Sequence, residues 1–292
     1  MKVKHKVKLT CNWCSDEALY ERFTRCYVSE HNFNSDIQFT NSNTYDWLVI
    51  INAPRYKINF PKEKTLGVIM EPTWSPAHQM RPTLEYYCNH ILFHKKTDNS
   101  QYIFHPGLLP YHFDYEVGNN LDYYINTKFL SKTKKCSMVV TYNDNNIHPE
   151  CLYKQRVNFA KLILKTNLDV DIYGTGWDTC GILDQRIKGQ LINKKNGLLD
   201  YEFSIAIENC VEQGFFTEKI SDCILTDSTP IYFGCPDIDL YLNNICKLTH
   251  LNDTTELASI LNTKPLEQHK TIFATKYNLY SAITKYIKHQ TI

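Results

Sequence analysis

Residues 203–234 read FSIAIENCVEQGFFTEKISDCILTDSTPIYFG. Phe203 to Ile207 is a short apolar run with β-branched residues, the pattern of a buried parallel strand. Gly214 sits in the loop that follows. Thr217 suits an N-cap and Glu218 the first turn of a helix. Ile220, Cys223 and Ile224 recur at helical spacing, so one face of that helix is apolar. Pro230 opens the next strand, Ile231 to Phe233, and Gly234 ends it. In such a strand–helix–strand unit, ligands bind beyond the carboxyl ends of the strands. Glu208, Asn209, Phe215, Glu218 and Lys219 all fall there.

The same alternation continues outward. Upstream, Ser137 to Thr141 predicts a strand. A helix follows over about 148–165, with Pro149 in its first turn and Arg156 on its length. Leu168 to Tyr173 predicts the next strand, and Gly174-Thr175-Gly176 turns out of it. GxG alone falls short of the dinucleotide fingerprint. Downstream come a short strand over 246–250, a helix over 254–261, and one long helix over 266–287. Phe273, Tyr277, Tyr280, Ile283 and Ile287 lie near one face of that last helix. Nearer the start, Lys4 to Thr10 predicts a strand, closed by Asn12-Trp13-Cys14. Ser15 caps a helix with Leu19, Phe23, Cys26 and Tyr27 on its apolar face. Trp47 to Asn52 and Leu66 to Met70 predict further strands. The latter ends directly at Glu71-Pro72-Thr73-Trp74-Ser75-Pro76. On context alone Glu71 is either a solvated loop residue or a carboxylate at the cleft wall. His90 to Phe93 and Tyr102 to Phe104 predict two more strands. His105 and His112 follow on a Pro-rich loop without standard metal spacing. Asp114 to Lys135 reads as the interdomain segment, with a turn at Gly118-Asn119-Asn120 and a solvated basic cluster, Lys128, Lys132, Lys134 and Lys135. Strands alternating with helices over 292 residues imply two α/β domains.

Composition narrows the function. A net charge of +1 and the lack of a basic stripe argue against nucleic-acid binding. No stretch approaches the length of a membrane span, and MKVKHKVKLT lacks the apolar run of a signal peptide. Eleven scattered cysteines read as free thiols in a reducing compartment, so the expected location is cytoplasmic. Cys11 and Cys14 form a CxxC with no second pair for zinc, and a structural turn is expected there. Asp169-Val170-Asp171 and Asp237-Ile238-Asp239 are DxD strings read as structural.

The segments IEN, FFTEK and PIYFG resemble, in order and spacing, the signature of the family 10 α1,3/4-fucosyltransferases. Arg156 and Asp171-Ile172-Tyr173-Gly174 resemble a second element, and Glu71 a third that follows a strand of the first domain. The resemblance implies the GT-B architecture: two Rossmann-like α/β domains facing across a cleft. Residues 1–125 would hold the acceptor, residues 136–264 GDP-fucose, and residues 265–292 would form a helix able to fold back on the first domain. It further implies an inverting transfer of L-fucose from GDP-β-L-fucose to a sugar hydroxyl, O3 or O4 of GlcNAc or Glc, on an oligosaccharide or glycoconjugate. Glu71 would be the base. Arg156 and Lys219 would bind the diphosphate, Glu218 the ribose, Asn209 the nucleotide or ribose, and Phe215 and Tyr173 would complete the donor site. Phe215 stands where the family usually has Tyr, and Phe233 where Trp or Leu is common. A single in-line displacement needs one base and cations for the departing diphosphate. No cofactor is therefore expected, with Mn²⁺ or Mg²⁺ as stimulators at most. Animal members carry a membrane anchor and this chain shows none, so a soluble bacterial or viral-type member is expected. The alternatives are a GT-B transferase using another nucleotide sugar, or a non-catalytic carbohydrate-binding protein.

Overall fold

A computed structural model describes residues 5–27, 37–108, 120–145 and 147–290. His112, Asp114, Gly118 and Asn119 lie outside the described residues, as do the side chains of Cys26 and Tyr27. The strands are β1 (His5–Cys11), β2 (Ile37–Phe39), β3 (Trp47–Ile51), β4 (Thr65–Val68), β5 (His90–Phe93), β6 (Tyr102–Phe104), β7 (Lys134–Val139), β8 (Val170–Tyr173), β9 (Ile187–Gly189), β10 (Tyr201–Ile207), β11 (Thr229–Phe233) and β12 (Cys246–Lys247). The helices are α1 (Asp16–Tyr27), α2 (Pro76–Gln79), α3 (Arg81–Tyr87), α4 (Leu121–Asn126), α5 (Tyr153–Leu164), α6 (Glu218–Leu225), α7 (Thr255–Leu261), α8 (Thr271–Thr275) and α9 (Leu279–Gln290).

The strands form two six-stranded sheets, ordered β2-β1-β3-β4-β5-β6 and β12-β11-β10-β7-β8-β9. Every pairing in both is parallel. Buried parallel strands need apolar side chains on both faces, and β3 is buried at all five positions. The strand order reverses between β1 and β3 in the first sheet, and between β7 and β10 in the second. The crevices at those reversals are where open α/β sheets place ligands.

One core cluster joins the two units. It runs from Val7, Leu9 and Val49 of the first sheet, through Phe273, Tyr277 and Ile283, to Ile220 and Ile224 of α6. α9 lies against the first sheet. The Tyr286 hydroxyl is 2.9 Å from His90 Nδ1, and the Tyr286 ring meets Trp47 edge-on at 5.9 Å. None of the described helices is long and apolar enough to cross a membrane.

The differences from expectation are local. The C-terminal helix is broken into α8 and α9, because Asn278 takes the backbone's bonds at the break. Its Nδ2 donates to the Phe273 carbonyl, and its Oδ1 accepts from Ser281 N at 2.7 Å. α5 begins at Tyr153, so Pro149 precedes it; Leu152 N instead donates to the Asn209 carbonyl at 2.8 Å. The interdomain segment contains α4, capped by Asn120. Lys132 is not a solvated charge: its ammonium donates to the Leu199 and Thr226 carbonyls, each at 2.7 Å. β2, β9, α2 and α3 lie in stretches whose short apolar content gives no clear period.

Candidate active site

The two reversal crevices open on a shared cleft of about 400 Å³. From the first unit it is lined by Trp13 after β1, Asn52 after β3, and Met70 and Glu71 after β4. From the second it is lined by Asn209 after β10, Phe215 in the following loop, and Thr217, Glu218 and Lys219 at the start of α6. Five of the expected site residues, Glu71, Asn209, Phe215, Glu218 and Lys219, therefore meet on one cleft although they come from both units.

The second-unit wall is organised by Glu208, which is fully buried. Thr217 stands at the N-cap of α6 with an extended backbone, but its side chain does not cap the helix. Its N–H donates to Glu208 Oε1 and its hydroxyl to Oε2, each at 2.7 Å. Lys219 Nζ donates to Thr217 Oγ1 at 2.9 Å and lies 3.3 Å from Glu218 Oε1 and 3.4 Å from Glu208 Oε2. The ammonium is thus fixed by three oxygens at the positive end of a helix. Close approach makes Gly234 necessary here: a Cβ at that position would come within 2.6 Å of the Glu208 side chain.

Arg156 stands behind this wall, in a small recess that Lys219 also lines. Its Nη1 donates to Asn209 Oδ1 at 2.7 Å, which orients the Asn209 amide at the cleft. Burial pushes against the Arg156 charge, and Glu208, Tyr153 and Glu218 act to restore it.

On the opposite wall, Asn52 adopts φ of 58°, a left-handed conformation that Asn tolerates. Its Oδ1 accepts from Met70 N at 2.9 Å and so anchors the residue before Glu71. Burial raises the Glu71 carboxyl above the ordinary carboxylate range; Lys219 opposes the rise and Glu218 adds to it. A carboxylate so placed is a stronger proton acceptor than one in water.

Tyr173 does not join the cleft. Its hydroxyl is 2.7 Å from that of Tyr201, which donates to Asp171 Oδ2 at 2.7 Å, so the ring is held along the face of the second sheet. His105 does not line the cleft either; its Nδ1 is 3.0 Å from the Pro106 carbonyl, and burial lowers its pKa to about 4. Asp171 also pairs with Lys188 at 3.4 Å, and Asp237 accepts from Gly214 N and the Tyr241 hydroxyl. The Cys11 and Cys14 sulfurs are 3.5 Å apart and unbridged.

Sequence reading passed over Asn52, Glu212 and the role of Glu208. Glu208 is visible as a carboxylate ending an apolar strand, but its role depends on a chain reversal nine residues long. Asn52 shows only as an Asn between a strand and a proline. Glu212, in the loop before Gly214, accepts from Thr73 N of the first unit and approaches His94 Nε2 at 2.8 Å. Nothing local in sequence marks such a contact across the cleft.

The profile of glycosyltransferase family 10 (fucosyltransferase), C-terminal part, matches residues 130–280, more than half of the chain. That span holds Arg156, Asn209, Phe215, Glu218 and Lys219, and it begins beyond Glu71. A fucosyltransferase-like protein of Arabidopsis thaliana is 31% identical over 84 residues, which is 29% of this chain and 15% of that protein. A solved α1,3-fucosyltransferase with GDP-fucose aligns over 98% of this chain and 90% of its own, with a TM-score of 0.52 at 17% identity. An Anabaena protein solved with UDP and glucose aligns over 98% and 99%, with a TM-score of 0.50 at 8% identity. Likeness at these identities speaks to fold, and the two facing parallel sheets are the GT-B architecture. By the extent of the profile match, the chain belongs to glycosyltransferase family 10, the fucosyltransferases.

Proposed function

We propose that this chain transfers L-fucose from GDP-β-L-fucose to a hydroxyl of an oligosaccharide or glycoconjugate, O3 or O4 of GlcNAc or Glc, with inversion at the anomeric carbon. Family membership supports the donor, and a solved relative of the same fold binds GDP-fucose. One observation carries the reading: a base-competent carboxylate from one unit and a fixed ammonium from the other line the same cleft.

The acceptor hydroxyl gives its proton to Glu71 as its oxygen attacks the anomeric carbon. The bond from that carbon to the diphosphate breaks on the opposite face, and GDP leaves with the electron pair. Lys219, Arg156 and the N–H groups opening α6 offset the charge that develops on the leaving group. Glu218 accepts from the ribose hydroxyls, Asn209 orients the nucleotide, and the Phe215 ring covers it without the hydroxyl of a tyrosine. Tyr173 takes no part.

A panel of nucleotide sugars offered with oligosaccharide acceptors, with mass detection of products, tests this. The expected product is heavier than its acceptor by one deoxyhexose with GDP-fucose alone. Transfer from a UDP-sugar, or binding without any product, would replace this reading with one of the alternatives.

A further inference from the structure

Glu71 is followed by a segment that belongs to the first unit by sequence and is fastened to the second. Thr73 N lies 3.2 Å from both carboxylate oxygens of Glu212, and the Thr73 hydroxyl donates to Glu212 Oε1. Glu212 Oε2 accepts from His94 Nε2, 2.8 Å away at the end of β5. The Trp74 ring stacks on His148 at 5.9 Å, and its edge relation to Tyr153 is at 6.0 Å, both partners lying in the second unit. The loop carrying Glu212 is itself seated on the first unit. Gly107 N donates to the Gly214 carbonyl at 3.0 Å, and Phe215 meets the His94 ring at 4.9 Å. Gly214 has φ of 69°, and a Cβ there would come within 2.4 Å of the His94 carbonyl oxygen, so the approach admits only glycine.

Only Pro72 separates Glu71 from Thr73, and its ring fixes φ, so the position of Thr73 is passed on to Glu71 with little slack. Glu71 is thereby held from two sides. Asn52 anchors Met70 on its own sheet, and Glu212 anchors Thr73 from the opposite unit. Hydrogen bonds from Thr73 and His94 outweigh the effect of burial on Glu212 and keep its carboxyl below the ordinary range, so it accepts in its charged form at neutral pH.

We infer that Glu212 is a positioning residue for the transfer reaction: from the nucleotide-side unit it clasps Thr73 and seats Glu71 against the acceptor. The inference rests on Glu71 as the base. It means that the base reaches its working position only when the two units are together, and that a residue outside the donor contacts controls turnover.

The test is a cycle of Glu212→Ala and Glu71→Gln, singly and together, with turnover followed by mass detection and GDP affinity by calorimetry. A displacement of about 1 Å at a reacting group costs about 10²-fold, so Glu212→Ala should lower kcat by about 10–100-fold. GDP affinity should hold within about 3-fold, and Glu212→Gln, which keeps one acceptor oxygen, should recover part of the rate. In the Glu71→Gln background the same change should cost less than about 2-fold, because there is no base left to misplace. Amide hydrogen exchange over residues 70–76 should quicken in Glu212→Ala while β3 and β10 stay protected. An equal loss in both backgrounds, an unchanged kcat or unchanged exchange overturns the positioning role. Wild-type turnover of Glu71→Gln alone overturns the base assignment, and the positioning role with it. If Glu212→Ala does not fold, Thr73→Val removes the hydroxyl half of the clasp and leaves the backbone N–H. It should show the same pattern with a smaller loss, in the wild-type background only; no loss, or an equal loss in both backgrounds, overturns the positioning role.

Discussion

Replacing Glu208 with alanine isolates the group that shapes the second-unit wall of the cleft. The side chain is fully buried, accepts two hydrogen bonds of 2.7 Å from Thr217, and lies 3.4 Å from the Lys219 ammonium. Hydrogen bonds to a buried charged group contribute roughly 1.5–3 kcal/mol each. Removing one member of a buried ion pair costs about 3–5 kcal/mol. Lys219 keeps Thr217 Oγ1 and Glu218, which places the expected loss near the lower bound, about 3 kcal/mol. For a unit of this size that lowers Tm by roughly 6–12 °C. Glu218→Ala is the control. Its side chain is partly open to the cleft and pairs with Lys219 at 3.3 Å, so its loss should stay below about 1 kcal/mol. Urea unfolding of the two variants, followed by circular dichroism, gives both numbers. Equal stability of the two, or a Glu208→Ala loss under about 1 kcal/mol, would refute Glu208 as the organiser of the α6 start.

Other expectations follow from the same geometry. Lys219→Ala and Arg156→Ala should each lower kcat/KM for GDP-fucose by about 10²–10³-fold; folded variants with wild-type kinetics would remove them from leaving-group stabilisation. Glu71→Gln should lower turnover by about 10²–10⁴-fold with GDP binding nearly intact; a parallel loss of GDP affinity would mark Glu71 as a donor ligand instead. The base must be deprotonated, and burial raises its pKa, so activity should fall with decreasing pH at a higher pH than for an ordinary carboxylate. Removing the attraction of Lys219 should move that limb to higher pH, and Glu218→Gln should move it to lower pH; pH–rate profiles showing the opposite order would contradict the assignment. Because Lys219 is fixed at the cleft and Arg156 backs it through Asn209, transfer is expected to persist in EDTA; complete loss restored by Mn²⁺ would place a metal in the leaving-group role.

The second unit was the more legible because its signals are local. The apolar run ending at Ile207, the capping position at Thr217 and the Pro230 strand each depend on neighbours within a few residues. Their boundaries in the structure agree closely. The cleft was legible where a residue stands at a helix start or just past a strand end: Glu218 and Lys219 open α6, Asn209 follows β10 by two residues, and Glu71 follows β4 by three. Tyr173 also ends a strand, yet its hydroxyl is taken by Tyr201, 28 positions away, in the sheet's own packing rather than in the chain's local pattern. Lys132 failed for the same reason: a basic cluster reads as solvated until two carbonyls from distant turns close on one of its members. Asn278 broke the last helix through bonds to its own backbone, an effect that apolar periodicity does not register.

Lys219 poses the remaining question, since three protein oxygens already surround the cation that should hold a diphosphate. Two of them belong to the buried Glu208–Thr217 pair; releasing Lys219 would leave the Glu208 carboxylate in the interior with its two Thr217 bonds but without its cation. Glu218 is the one that can leave cheaply, because its side chain borders the cleft. If Glu218 turns to the ribose as phosphate reaches Lys219, one residue serves as a placeholder before the donor binds and a ligand in the complex. The ammonium is then preorganised before the donor arrives. Glu218→Gln should separate these roles. Inorganic diphosphate, which has no ribose, loses a charged competitor for Lys219 and should bind more tightly. GDP loses a carboxylate acceptor for its ribose and should gain less or bind more weakly. Calorimetric titration of both ligands measures the difference, and an equal shift in the same direction for the two would show that Glu218 does not exchange partners.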